Sequence, residues 1–360
     1  MKRRFSPMMA SRRSFLAGTG AVAAGLTFAP YKSFAAEEMK LNFYNWDTYI
    51  GETTLDDFKA ATGIEVAMDL FADNDELFAK LKEGNPGYDV IVPTNDFVER
   101  MITSDMLIPL DHDKIPNIAN IEKPFLDGAF DPGRKYSLPY MWGTIALGYR
   151  ISAVGDTPPD SWGVLYDSDK YAGRVSLLGD AQIVIGHALK YLGHSFNSTN
   201  PAEIKQAEEL IIANKKNIKV FADDNGQDLL ASGEVDLAQE WNGDILQVME
   251  EDDDITLTVP KEGGLLWQDC LCIAKGAPHP ENAHAFINFL LDAEVGAAIA
   301  DFIQYATPNG AAKKLMSEEY TKNPAIFPTD ETLAKCEPAI FLGVEVVRLY
   351  DEAWTRINAA

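Results

Sequence analysis

The chain has little cysteine and little histidine, with three and five residues respectively among 360. Three cysteines cannot form a disulfide framework for a chain of this length. Cys270 and Cys272 share one face of a predicted strand and are expected to be buried free thiols, while a disulfide from one of them to Cys336 stays open. The histidines show no metal-ligand spacing, and the GxSxG and GxxxxGKS/T motifs are absent. The sequence therefore predicts no metal centre and no cofactor.

Basic residues are also few, since 31 lysines and arginines stand against 55 aspartates and glutamates, for a formal charge of −24. Nucleic-acid binding depends on clustered cations, so this composition argues against a nucleic-acid partner and favours a cation as any charged ligand. With 46% hydrophobic and 24% charged residues, the chain has the composition of an ordinary soluble protein. Its length predicts about two domains.

An export signal is predicted at residues 1–35. Five basic residues precede an apolar stretch at residues 16–30, which is too short to span a membrane, and small residues at 33 and 35 predict cleavage after Ala35. The string SRRSFL at 11–16 resembles a twin-arginine signal, which predicts a periplasmic protein; an ordinary secretory signal or an uncleaved anchor is the alternative. Cleavage removes six cations and no anion, which leaves 25 basic against 55 acidic residues and a charge of −30.

From residue 40 onward, short β-rich runs alternate with helical periodicity, which is typical of parallel sheets covered by helices. Two long predicted strands, near 140–150 and 265–274, separate two such sets. The sequence thus predicts an α/β protein with two lobes, each a mostly parallel sheet flanked by helices, which are joined by a hinge and bind a ligand between them. The first lobe is expected to comprise residues 36–145 and 269–313, and the second 146–268 and 314–360.

Tryptophan and tyrosine stand beside aspartate at several predicted strand ends. The strings are YNWDTY at 44–49, WNGD at 241–244 and WQD at 267–269. In the last of these, the i, i+2 spacing on a strand turns Trp267 and Asp269 toward the same face. Aromatic ring faces together with carboxylates are what an alkyl ammonium ligand needs. Each tryptophan taken singly is more typical of a protein core, and an aspartate beside it is commonly a helix cap.

These strings resemble those of the periplasmic spermidine/putrescine-binding proteins of polyamine ABC transporters. The resemblance extends from residue 41 to the C-terminal helix and includes, in matching order, DVIVPT at 89–94, YSLPYMWGT at 136–144, VPKEGGLLWQD at 259–269 and ATPN at 306–309. It implies a two-lobed receptor that closes on putrescine, spermidine or both and delivers the polyamine to an inner-membrane permease. We expect a monomer without enzymatic activity.

The resemblance also assigns a ligand site. Asp269 is implied to be the principal carboxylate for one ammonium group, Asp244 matches a carboxylate of putrescine-preferring members, and Thr94 stands where the family has a serine that bonds an amine. The full set of implied ligand-contacting residues is Trp46, Asp47, Thr48, Tyr49, Thr94, Asp96, Asp180, Trp241, Asp244, Trp267, Asp269 and Tyr305.

Several positions depart from the family pattern, and Asp47 and Thr48 are exchanged relative to its commoner order. Ile183 replaces a glutamate that contacts an amine, Asp96 occupies a position where an aromatic residue is common, and Ile340 lies near a glutamine position. Because a buried ammonium without a partner is costly, the missing glutamate together with Asp244 favours a diamine such as putrescine, although Asp96 could compensate from the other lobe.

Two other hypotheses stay open. The same scaffold could bind another amine or a small cationic solute, which the departures at Ile183 and Asp96 permit. The chain could instead be a secreted hydrolase that uses two facing carboxylates, such as Asp244 and Asp269. Turnover separates the two classes, because a receptor returns its ligand unaltered.

Overall fold

The computed structural model describes residues 37–167 and 169–360, so the predicted export signal lies outside the described residues. The strands are β1 Lys40–Asn45, β2 Glu65–Leu70, β3 Val90–Ile91, β4 Ser137–Arg150, β5 Val175–Leu178, β6 Ile218–Ala222, β7 Leu237–Trp241, β8 Ile255–Thr258, β9 Leu265–Ile273 and β10 Glu337–Pro338. The helices are α1 Thr54–Thr62, α2 Asn74–Lys82, α3 Asn95–Thr103, α4 Ile151–Val154, α5 Gly163–Tyr166, α6 Ala181–Tyr191, α7 Pro201–Ala213, α8 Gly226–Ala231, α9 Asn242–Met249, α10 Pro280–Leu290, α11 Ala293–Ile303, α12 Gly310–Lys313, α13 Glu318–Thr321, α14 Asp330–Leu333 and α15 Val344–Ala359. In this part of the chain, no helix is long and apolar enough to cross a membrane.

The strands follow one another in the order β2-β1-β3-β9-β4-β7-β5-β6, with β10 beside β9 and β8 beside β4. Near each end of this order the strands pair in parallel. β1 pairs with β2 and β3, and β5 pairs with β6 and β7. It is antiparallel around the two long strands, where β9 pairs with β3 and β4, and β4 pairs with β7 and β8. The sheet is therefore mixed, with parallel strands in each half.

The long strand β4 joins the two halves. Its residues 137–144 pair with β9, whereas its residues 145–150 pair with β7 and β8. All of β4 except Trp142 and Arg150 is buried, which is why its sequence is a nearly continuous apolar run rather than an alternating one. The change of partners at residue 145 places β7 of one half close to β9 of the other.

The predicted alternation of short strands and helices is present, and the two long predicted strands are β4 and β9. Helix α1 is followed by Gly63, whose left-handed φ of 80° is one that glycine adopts without strain. Strand β3 has only two paired residues, and α12 is a single turn, followed by a new helix that the Ser317 side chain caps. Strand β8 and helix α8 have no clear sequence signal, because they are only four and six residues long. The three cysteines are free.

Candidate functional site

A cavity lies at the carboxyl ends of β1, β6 and β7, beside β9. It encloses about 310 Å³ of space without protein atoms, part of it open to solvent. We call it the central cavity. It is lined by Trp46, Asp47, Tyr49, Asp224, Trp241, Asp244, Trp267, Asp269 and Tyr305. Eight of these nine residues belong to the predicted site, and Asp224 is the one that the sequence reasoning missed.

Two further cavities continue from the central one. The middle cavity shares Trp46, Asp224 and Trp241 with it and extends to Asp180 and Ile183. The distal cavity again contains Asp180, Ile183 and Trp241, and adds Thr94 and Asp96. Because Trp241 lines all three, the predicted residues other than Thr48 lie around one group of neighbouring cavities, which we call the cleft.

Thr48 is the single predicted residue that lines none of these three cavities. It is exposed, with a left-handed φ of 46°, and its backbone N–H donates to the carboxylate of Asp47 at 2.9 Å. In the described structure it shapes the loop after β1, and it contributes no side chain to the cavity walls.

The aromatic side chains of the central cavity form a row of edge-to-face contacts. Ring centroids lie 6.2 Å apart between Trp46 and Trp241, 5.6 Å between Trp241 and Trp267, 5.2 Å between Trp267 and Tyr305, and 5.2 Å between Tyr305 and Tyr49, with interplanar angles between 64° and 87°. Near-perpendicular rings enclose a space instead of stacking on one another. Such a space suits methylene groups and a cation held over a ring face.

Hydrogen bonds from outside the cavity hold its first wall in place. The indole N–H of Trp46 donates to the carbonyl oxygen of Val92 at 2.9 Å, and its ring packs on Phe71 with centroids 4.5 Å apart. The Tyr140 hydroxyl donates to the Tyr49 carbonyl oxygen at 3.0 Å. Both aromatic residues of the loop after β1 are therefore oriented by protein contacts before any ligand arrives.

The WNGD string at 241–244 uses each of its residues differently. Trp241 ends β7 and faces the cavities, whereas the buried Asn242 links two neighbouring segments, accepting from the Thr144 N–H at 3.2 Å and donating to the Ala325 carbonyl oxygen at 2.7 Å. A Cβ on Gly243 would lie 2.5 Å from the Tyr305 ring, so only glycine leaves room for that ring. Asp244 then lies in the first turn of α9, where a negative charge is favoured.

The two carboxylates predicted to be most important are both buried in the central cavity. Burial raises the pKa of Asp244 to about 7, although the facing hydroxyl of Tyr305 acts in the opposite direction. Burial likewise raises the pKa of Asp269 to about 7, against the effects of Tyr49 and Thr94. Among residues 37–167 and 169–360, no salt bridge includes either aspartate. The cavity thus holds acidic groups that lack a cation.

Thr94 connects the two parts of the cleft. Its hydroxyl oxygen accepts from the Asn74 side-chain amide at 2.6 Å, while the hydroxyl faces Asp269, whose backbone pairs with that of Thr94. The hydroxyl has one donor and two acceptor lone pairs, so Thr94 can orient Asp269 and still accept from an amine.

Asp96 and Asp180 form a second acidic pair in the distal cavity. Burial, followed by the charge of Asp180, raises the pKa of Asp96 to about 7. Burial also raises the pKa of Asp180 to about 6, although its carboxylate accepts from the Ile183 N–H at 2.8 Å and caps α6. Asp180 therefore serves both as a helix cap and as an acidic group of the cleft.

The raised pKa values predict how the stability of the ligand-free protein changes with pH. In the unfolded chain Asp244 and Asp269 ionise near 3.8, but in the folded protein they keep their protons up to about pH 7. The folded state binds more protons between these values, so the contribution of these two groups to the free energy of unfolding decreases as pH rises from about 4 to about 7.

Thermal unfolding of the ligand-free wild type and of an Asp244→Asn/Asp269→Asn variant across this range measures the effect. We expect the variant to gain stability relative to the wild type as pH rises, because asparagine has no charge to bury. A constant difference between the two proteins at all pH values would contradict the assignment.

The chain is similar to known proteins over most of its length. Residues 53–329 match the bacterial extracellular solute-binding protein family. The spermidine/putrescine-binding periplasmic protein of Salmonella typhimurium is 34% identical over 345 residues, which cover 96% of this chain and 97% of that protein. The putrescine/cadaverine-binding protein of Pseudomonas aeruginosa is 34% identical over 331 residues, which cover 89% and 93%.

A solved structure shows the same architecture. The substrate-binding protein of a spermidine/putrescine ABC transporter from Streptococcus pneumoniae aligns with a TM-score of 0.76 and 31% identity, covering 89% of this chain and 98% of its own. The α/β two-lobed fold predicted from the sequence is confirmed by this likeness. The chain belongs to the bacterial extracellular solute-binding protein family.

Proposed function

We propose that the protein is the periplasmic receptor of an ABC importer and that it binds a polyamine in the cleft formed by the three cavities. The main support is the central cavity itself, where Asp244 and Asp269 are buried among aromatic rings and form no salt bridge within the described residues. The curated relatives, which bind putrescine, spermidine or cadaverine by name, support the same ligand class.

The chemistry of a linear polyamine matches the cleft. Its ammonium groups supply the positive charge that Asp244 and Asp269 lack, and its methylene chain can lie against Trp46, Trp241 and Trp267. A cation near a carboxylate lowers the carboxylate pKa, so binding favours the ionised form of both aspartates. A diamine would place its ammonium groups beside Asp244 and Asp269 in the central cavity, and a triamine would extend along the middle cavity toward Asp180.

The remaining parts of the proposal concern the whole molecule. We assign residues 36–145 and 269–313 to one lobe and 146–268 and 314–360 to the other, in keeping with the change of β4 partners at residue 145. The mature protein would be a monomer that reaches the periplasm through its twin-arginine signal and docks on an inner-membrane permease. It would release its ligand chemically unaltered.

Calorimetric titration of the mature protein with putrescine, cadaverine and spermidine tests the proposal. We expect binding of at least one of them at micromolar concentration. If none of these three binds but another amine from a wider panel does, the ligand is another cationic solute. Mass spectrometry of the recovered ligand separates a receptor from a hydrolase, since any cleavage product would contradict the proposed function.

Asp180→Asn is expected to separate a triamine from a diamine. Asparagine remains a good helix cap, so α6 is preserved while the negative charge is lost. We expect the affinity for spermidine to decrease by about tenfold, because a third ammonium group loses its charged partner, while the affinity for putrescine changes by less than about twofold. Equal losses for both ligands would show that Asp180 does not discriminate between them.

A further inference from the structure

Asp224 lies in the cleft without belonging to any of the aromatic strings of the sequence. It follows β6 by two residues and lines both the central and the middle cavity. The indole N–H of Trp241, which can only donate, faces the carboxylate of Asp224. Trp241 is the residue common to all three cavities, so Asp224 contacts the ring that separates them.

Asp224 is also one of three carboxylates that lie close together. Oxygen atoms of Asp224, Glu240 and Asp244 are all within 4.8 Å of one another. The fully buried Glu240 accepts from the backbone N–H groups of Gly226 at 2.9 Å and Trp241 at 3.0 Å, and so it is fixed behind the cavity wall. Glu240 does not line the central cavity, whereas Asp224 and Asp244 do.

The charges around Asp224 are of one sign. The charges of Asp244, Asp47 and Asp269 each raise the pKa of Asp224, and Asp224 raises that of the neighbouring Glu240. Asp228 in turn raises the pKa of Asp244. No salt bridge within the described residues includes Asp224, Glu240 or Asp244. Carboxylates this close and this buried cannot all ionise without a cation, so the ligand-free cluster retains at least one proton.

We propose that Asp224 determines specificity for a terminal primary ammonium group, which it accepts jointly with Asp244 while it holds the ring of Trp241. A primary ammonium has three N–H donors and one positive charge, and two carboxylates on the cavity wall can accept two of those donors. The inference rests on the proposed function. It adds that the arriving ammonium keeps its three protons while the cluster releases a proton to solvent, so binding of the amine is accompanied by proton release.

Calorimetry of putrescine binding at pH 7, in two buffers with different ionisation enthalpies, measures both affinity and proton release. EDTA in both buffers keeps divalent cations away from the carboxylates. The variants are Asp224→Asn, Asp244→Asn and the double variant. The matched control is Asp156→Asn, which removes the same charge at an exposed aspartate that lines none of the three cavities.

We expect the wild type and the control to release protons on binding, and Asp224→Asn to release fewer and to bind about tenfold more weakly or worse. Because Asp224 and Asp244 would share one ammonium group, the loss in the double variant should be smaller than the product of the two single losses. Asparagine keeps an acceptor for the Trp241 indole, so near-ultraviolet circular dichroism should show an unchanged aromatic environment.

An affinity and a proton release for Asp224→Asn that match those of the control would overturn the inference and leave the proposed function intact. The same holds if the Asp224 and Asp244 losses simply multiply. Absence of binding by the wild type would instead overturn the proposed function, so the two failures are distinguishable.

Discussion

Asp269→Asn is expected to lower the affinity for putrescine by about thirtyfold or more. Truncating one partner of a buried, hydrogen-bonded charge pair costs about 2 to 5 kcal/mol, and a thirtyfold change corresponds to about 2 kcal/mol. Asp269 satisfies these conditions because it is buried, because Tyr49 and Thr94 face its carboxylate, and because its backbone is fixed in β9. Asparagine has almost the same shape but cannot neutralise the ammonium group.

The measurement is a calorimetric or competition titration, accompanied by thermal unfolding of the ligand-free proteins. At pH 8 the ligand-free Asp269→Asn variant should be at least as stable as the wild type, since it no longer has a charge buried without a cation. We therefore expect weaker ligand binding together with an intact fold. Unchanged affinity would remove Asp269 from the ligand site.

Trp241→Ala is expected to weaken the binding of every polyamine, with a loss of about thirtyfold or more. The ring lines all three cavities and lies edge to face with both Trp46 and Trp267. A cation over a desolvated indole contributes about 2 kcal/mol, and the methylene chain loses its apolar contact as well. Because the ring is common to all three cavities, the losses for putrescine and spermidine should be similar.

The matched control is Trp142→Ala. That ring packs between Phe125 and Phe327, with centroid distances of 5.7 and 5.9 Å, and lines none of the three cavities. We expect Trp142→Ala to lower the melting temperature while the affinity of the folded protein is retained. Comparable losses of affinity in the two variants would mean that Trp241 acts through stability and not through contact with the ligand.

Seven of the nine residues that line the central cavity could be predicted from the aromatic strings, because they stand at strand ends or alternate along a strand, whereas Thr94, Asp96, Asp180 and Tyr305 were implied only by the family resemblance. The i, i+2 spacing turns Trp267 and Asp269 into the same cavity, while Gln268 points away and binds the buried Arg134 at 2.7 Å. Trp46 follows β1 of one half and Trp241 ends β7 of the other, and their ring centroids lie 6.2 Å apart, so the carboxyl ends of the two sets of parallel strands meet at the cleft.

Asp224 could not be predicted from the sequence, and the reason is again physical. It follows another aspartate in a short polar loop before α8, and paired acids in such a loop are usually solvated. Only the proximity of β6 to β7 through β5 brings it beside Trp241, and strand order cannot be read from local periodicity. Thr48 is the converse case, since its position in an aromatic string suggested a role that its exposed side chain does not have in the cavity walls.

The position of β9 affects how the chain can fold during synthesis. Strands β1, β2 and β3 are complete by residue 91, but the partner that covers β3 is β9, at residues 265–273. After β3, the ribosome must therefore add about another half of the chain before β9 covers the exposed edge of these strands. Pairing between strands so far apart in sequence is slow, and an uncovered edge of this kind can pair with other chains. The synthesis of residues 92–273 is thus the stage at which this protein most needs protection from aggregation.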